Sequence, residues 1–174
     1  MKDGRVEYLL LSDGLDPARQ RLAVHRALTL VAAEMGRADT DIPWSLRNDW
    51  PPEVVEAASR LCDRFVPDSR RGDTYMQTGV QSTSDPEVRN DFISVAPHAY
   101  GPTFWRRDYG EVASLSDEGT SCVIWLTDDQ RNILADLVGA DRVVSYADWR
   151  RAHPAWSRRQ LHRLKTRLSR ARSD

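Results

Sequence analysis

Residues 110–126, GEVASLSDEGTSCVIWL, constrain the fold more than any other stretch. Two apolar runs of strand length, 110–115 and 120–126, flank Ser116-Asp117-Glu118-Gly119, and that spacing pairs them as an antiparallel hairpin. The next residues are equally well marked. Thr127 and Gln130 have the spacing of a capping box, Asp128 and Asp129 suit the positive end of a helix dipole, and Gly139 stops the helix. RVVSY (142–146) then reads as a short strand. Ser145 with Asp148 caps a short helix running through Trp149, and Pro154 restarts the chain into a final helix.

Upstream, VEYLLLS (6–12) is a short buried strand. Asp16 and Pro17 make an N-cap and first helical position, opening a helix to about Met35 that Gly36 stops. Its apolar stripe is Leu22, Val24, Leu28, Val31 and Met35. Residues 39–52 are a loop, because Pro43, Pro51 and Pro52 break any helix. A second helix begins near Pro52, where Val54, Val55, Ala58, Leu61, Cys62 and Phe65 recur at three and four; Pro67 ends it. Residues 67–90 are the least periodic, a long loop with one short strand around Tyr75–Val80. Within it Arg71-Gly72-Asp73 reads as a polar turn. DFISVA (91–96) reads as a strand buried on both faces.

This order predicts an α+β fold, an antiparallel β-meander with helices packed on one face and a basic amphipathic C-terminal helix. Residues 1–153 form a single domain and 154–174 the helix docked on it. At 174 residues the chain buries roughly 70% of its unfolded surface. Two cysteines, Cys62 and Cys122, make no disulfide framework; both lie in apolar runs and read as small buried hydrophobes. No apolar run reaches the length of a membrane span, and the N-terminus is too acidic for a secretory signal. The chain is therefore read as cytoplasmic.

The near-neutral net charge of −1 conceals an asymmetry. Residues 146–174 carry nine Arg/Lys and two Asp (+7), leaving 16 basic and 24 acidic residues (−8) in 1–145. Of 25 basic residues only Lys2 and Lys165 are lysine. A GC-rich genome produces that arginine bias as readily as selection for guanidinium chemistry. On a helix, Leu161, Leu164, Leu168 and Ala171 span an arc of about 80°, and basic residues occupy the rest. Three readings follow: a docked helix with a solvated face, a partner seam through the leucines, and a nucleic-acid contact. In the last, Arg158, Arg159, Arg163, Lys165, Arg167 and Arg170 would neutralise phosphates.

Residues 96–122 hold the densest set of chemically capable side chains. Tyr100, Trp105, Arg106, Arg107 and Tyr109 crowd one connection whose backbone Pro97, Gly101, Pro102 and Gly110 fix, and Tyr, Trp and Arg are the residue types that anchor protein interfaces. Trp44 and Trp50, in the earlier loop, would extend an aromatic patch with Trp105, rimmed by Asp41, Asp49 and Asp108. Trp125 belongs to a core strand, and Trp149 packs inward. For catalysis, His98 could act as a general base, Ser121 or Cys122 as a nucleophile, and Asp108, Asp117 or Glu118 as the orienting acid. EGTSCV, however, lacks the second glycine of a nucleophile elbow, and Cys122 lies in an apolar strand where a thiol is inert. No His/Cys pair has metal-ligand spacing, and neither phosphate-binding glycine motif occurs, so no metal or cofactor is expected.

The leading expectation is a small non-enzymatic module that binds a protein partner, an inhibitor or immunity-type protein being one concrete form. The alternatives are a nucleic-acid-associated protein using residues 157–174 and a small enzyme centred on His98.

Overall fold

The structure, a computed structural model, describes residues 4–11, 14–67 and 74–154. In chain order its elements are β1 (Val6–Leu10), α1 (Pro17–Leu30), β2 (Arg37–Ile42), α2 (Pro52–Phe65), β3 (Met76–Gln77), β4 (Gln81–Ser82), α3 (Pro86–Val95), β5 (Tyr100–Trp105), β6 (Glu111–Leu115), β7 (Cys122–Leu126), α4 (Asp128–Val138), β8 (Val143–Ser145) and α5 (Tyr146–Ala152). The eight strands form one sheet ordered β3-β2-β5-β6-β7-β1-β8, with β4 also pairing β2. Every pairing is antiparallel. The α+β class and the antiparallel sheet agree with the sequence. Arg71-Gly72-Asp73 and the basic segment 155–174 lie outside the described residues.

Strand alternation sorts the sheet into two faces. Ala38, Ile42, Phe104, Ala113, Leu115, Cys122, Ile124, Leu126, Leu10 and Val143 are buried on one face. Helices α1 to α4 supply the rest of that core, including Val24, Leu28, Ala58, Leu61, Phe92 and Leu134. The register puts Arg37, Asp39, Thr103, Trp105, Glu111, Ser114, Val123, Trp125, Glu7 and Leu9 on the opposite face. Two bulges, between Asp39 and Asp41 and between Phe104 and Trp105, keep that alternation intact across the central strands. Both cysteines are buried, and burial pushes the Cys122 thiol up to about 12.

Most helix signals hold. Asp16 caps α1 by accepting from Arg19 N at 3.0 Å. The capping box is reciprocal, Gln130 N to Thr127 Oγ1 at 3.2 Å and Thr127 N to Gln130 Oε1 at 3.0 Å. The hairpin of β6 and β7 closes through Ser116, whose hydroxyl accepts from Ser121 N at 2.7 Å.

Four readings change. DFISVA is helical: α3 starts earlier, at Pro86, with Asp85 as N-cap accepting from Glu87 N at 3.0 Å. Val88, Phe92 and Val95 then bury at three- and four-residue spacing, a period that a window opening at residue 91 cuts in half. Residues 39–42, read as the start of a loop, belong to strand β2: Ala38, Thr40 and Ile42 point in while Arg37, Asp39 and Asp41 stay half-buried. Residues 100–105 are also a strand, and a central one, with Gly101 and Pro102 accommodated at the bulge opposite Asp39–Asp41. Finally, α1 stops at Leu30, so Gly36 is no helix cap. Its lack of a side chain matters for another reason: a Cβ there would sit 2.7 Å from Arg107 N and 3.0 Å from Arg107 Cα.

Candidate functional site

Two separate places carry the sequence candidates: the buried turn holding His98, and the sheet face that α1 to α4 leave uncovered.

His98 closes a short 3-10 turn, Ala96–His98, between α3 and β5. It is buried, and its ring lies 5.6 Å from the Trp50 ring at a 53° tilt. Burial lowers its pKa to about 4; Arg21 pushes the same way and Glu53 opposes. The imidazole is therefore neutral at pH 7, and its Nδ1 has no hydrogen-bond partner among the described residues. Asp108 sits in the turn after β5, whereas His98 precedes that strand, and a six-residue strand separates the two ends by about 20 Å. The Asp108 carboxylate instead accepts from Gly110 N at 3.0 Å; that bond, with Arg106 nearby, holds its pKa below the usual carboxylate range. Ser121 lies at the same end as His98, since Glu118 N donates to Ala99 O at 2.8 Å. Its hydroxyl donates to Ser116 Oγ at 2.9 Å. The structure thus joins His98 to Trp50, and neither Asp108 nor Ser121 directs its polar atoms to it in these hydrogen bonds.

The tryptophans divide between the two sides of the sheet. Trp50 is buried in the helix-side core and Trp44 packs against it. The Arg47 guanidinium lies 5.0 Å from the Trp44 ring centre and donates to Trp44 O at 2.8 Å. Trp105 is on the opposite face, so these three do not converge. Trp125, expected in the core, points to that same opposite face and is half-buried, because β7 buries Cys122, Ile124 and Leu126 instead.

On this face, which α1 to α4 leave uncovered and α5 covers only beside β1 and β8, Tyr100 lies opposite Asp41, and Trp105 opposite both Arg37 and Glu111. Trp125 lies opposite Glu7. The Tyr100 ring packs 6.4 Å from Tyr75. The turn after β5 is stiff: Arg106 N donates to Gly110 O at 2.8 Å and Tyr109 N to Arg106 O at 3.0 Å. Tyr109 adopts φ 65°, a left-handed conformation that aromatic residues rarely take. The Arg37 guanidinium stacks 3.8 Å above its ring, a contact that holds the tyrosine in place. Arg107 is exposed beyond the turn. Against β1 and the edge strand β8, α5 brings Tyr146, Trp149 and His153 into a stack with centroid spacings of 6.2 and 4.6 Å. Partial burial and the neighbouring Glu111 raise the Glu7 pKa, with Arg150 opposing. Trp149, half-buried, is the middle ring of this stack on α5.

The face presents the flat rings of Tyr100, Trp105 and Trp125 beside the carboxylates of Glu7, Asp41 and Glu111. The alternation in RADTDI, polar out and small or apolar in, is the signal that would have placed Asp39 and Asp41 here. Among the described residues no group of three His, Cys, Asp or Glu could hold a metal ion, and no helix is long and apolar enough to cross a membrane. No protein-family model matches the chain, nor does any curated protein or solved structure.

Proposed function

We propose that this chain is a protein-binding module whose working surface is the sheet face that α1 to α4 leave uncovered, and that its partner presents basic residues. An inhibitor or immunity-type protein that masks a basic surface is one concrete form. One observation carries the reading. Tyr100, Trp105 and Trp125 are half-buried on a single face among Glu7, Asp39, Asp41 and Glu111. Rigid aromatics set mainly among carboxylates, with Arg37 engaged on the Tyr109 ring, are the elements of an interface hot spot with an electrostatically steered approach. The −8 balance of residues 1–145 supports the same sign of partner.

The test uses the full chain as bait against host lysate, with and without nuclease, at low and high salt. The expected capture is a basic protein that survives nuclease. Trp105→Ala or Trp125→Ala, in protein shown to be folded, weakens it about thirtyfold, the size of a hot-spot truncation. Capture unchanged by both substitutions overturns the reading. Capture abolished by nuclease and by Arg158→Gln with Arg159→Gln and Arg163→Gln assigns the function to nucleic acid, through residues 157–174.

A further inference from the structure

On the side away from the proposed binding face, α1 and α4 lie next to each other and leave apolar surface uncovered. Leu22, which the sequence places in the α1 core stripe, is 49% exposed; on α4, Ile133 and Leu137 are 48% and 45% exposed. Leu22 and Leu137 share a groove of about 300 Å³ with Leu15, Ala23 and Val138, edged on the α1 side by Arg19 and Arg26. Large side chains clustered this way on one surface mark an association site rather than scattered exposure.

The charges on the two helices that flank the groove are arranged by sign and spacing. On α1, Arg19 and Arg26 stand seven residues apart with Leu22 between them; on α4, Asp129 and Asp136 stand seven apart with Ile133 between them. Seven residues are about 10.5 Å of helix, so the two pairs match in length. Arg26, Asp129 and Asp136 make no ion pair among the described residues. Arg19 meets only Asp16, at 3.3 Å, with both side chains well exposed, a pairing worth little in water.

A basic helix beside an acidic helix, each with an exposed aliphatic between its charges, is complementary to a copy of itself turned by a two-fold axis. In that arrangement α1 of each copy crosses α4 of the other, both arginines meet both aspartates twice over, and Leu22, Ile133 and Leu137 leave water together. Self-complementarity of this kind defines an isologous interface. We propose that the α1–α4 surface is a homodimer interface. It stands apart from the sheet-face reading, because the dimer would turn both sheet faces outward.

Sedimentation equilibrium on the full chain, from about 10 to about 500 µM, tests it. The expected result is a concentration-dependent rise to twice the 19.8 kDa chain mass. Leu22→Glu with Ile133→Glu leaves a monomer of unchanged circular dichroism. Arg19→Glu with Arg26→Glu weakens association about tenfold or more, and adding Asp129→Arg with Asp136→Arg restores it. Trp105→Ala, which probes the other face, leaves the dimer unchanged. A monomer at every concentration overturns the proposal, as does a dimer that survives Leu22→Glu with Ile133→Glu. A dimer lost with Trp105→Ala, or one that the charge reversals neither weaken nor restore, overturns it too. Groove-dependent capture of a different protein by a monomeric chain assigns the surface to that partner instead.

Discussion

His98 has the sharpest consequence of any single residue. Its imidazole has a pKa of about 4 in the folded chain against 6.5 when solvated, so the unfolded chain binds more protons between those values. Stability therefore rises with pH across that window and falls as pH drops from about 6.5 to 4, by about 3 kcal/mol if His98 acted alone. Glu7, with its raised pKa, pulls the other way. Comparison with His98→Gln isolates the histidine, since Glu7 is common to both proteins. Urea denaturation at pH 4.5 and 7 is expected to show a smaller loss on acidification in the variant. Equal losses in both would mean that protonated His98 finds a place without unfolding the turn. The orphan Nδ1 against Trp50 was not readable from the sequence, where His98 looks like any histidine following an apolar run.

At the scale of elements, α4 is the best-specified helix, and its cap also serves the tertiary structure. Gln130 completes the capping box and then donates to Leu30 O and Glu34 Oε1, both at 3.2 Å, tying the start of α4 to the segment after α1. Thr127→Ala is expected to lower unfolding free energy by about 1 kcal/mol. Gln130→Ala should lower it further, with no change in urea m-value; equal losses would show that the long-range bonds add nothing. Local chemistry of this kind was legible: caps at Asp16, Thr127 and Ser145, the period of α2, and the β6–β7 hairpin all follow from adjacent residues, whereas of the α1 stripe only Val24 and Leu28 are buried within the helix. The misread elements are those whose identity depends on distant partners. Strand β5 carries Gly101 and Pro102 in its middle and survives because a bulge with β2 takes up the irregularity. Strand β2 is mostly polar and becomes a strand by pairing β5 on one edge and β3 and β4 on the other. Thr78 completes that outer edge, donating its backbone N–H to Thr40 O at 3.1 Å and accepting from Thr40 N on its hydroxyl at 3.1 Å. The site suffered most from this, because the aromatic and acidic residues of the proposed binding face come together only once β1, β2, β5, β6 and β7 are in register.

Across the whole molecule, the first strand sits between two of the last. Val6 pairs with Leu126 and Leu10 with Cys122 on one side, while Leu10 pairs with Val143 on the other. Contacts this far apart in the chain slow folding, toward milliseconds to seconds for a domain of this type. Pulsed hydrogen exchange during refolding should therefore show the amides of β1 gaining protection together with those of β7. Protection of β1 ahead of β7 would contradict the pairing order. During synthesis the constraint is harsher. A ribosome adding about 5–20 residues per second leaves Tyr8, Leu9 and Leu10 without their sheet neighbours for on the order of ten seconds. A nascent chain stalled anywhere before Cys122 carries β1 without its β7 partner, an apolar strand open to non-native pairing.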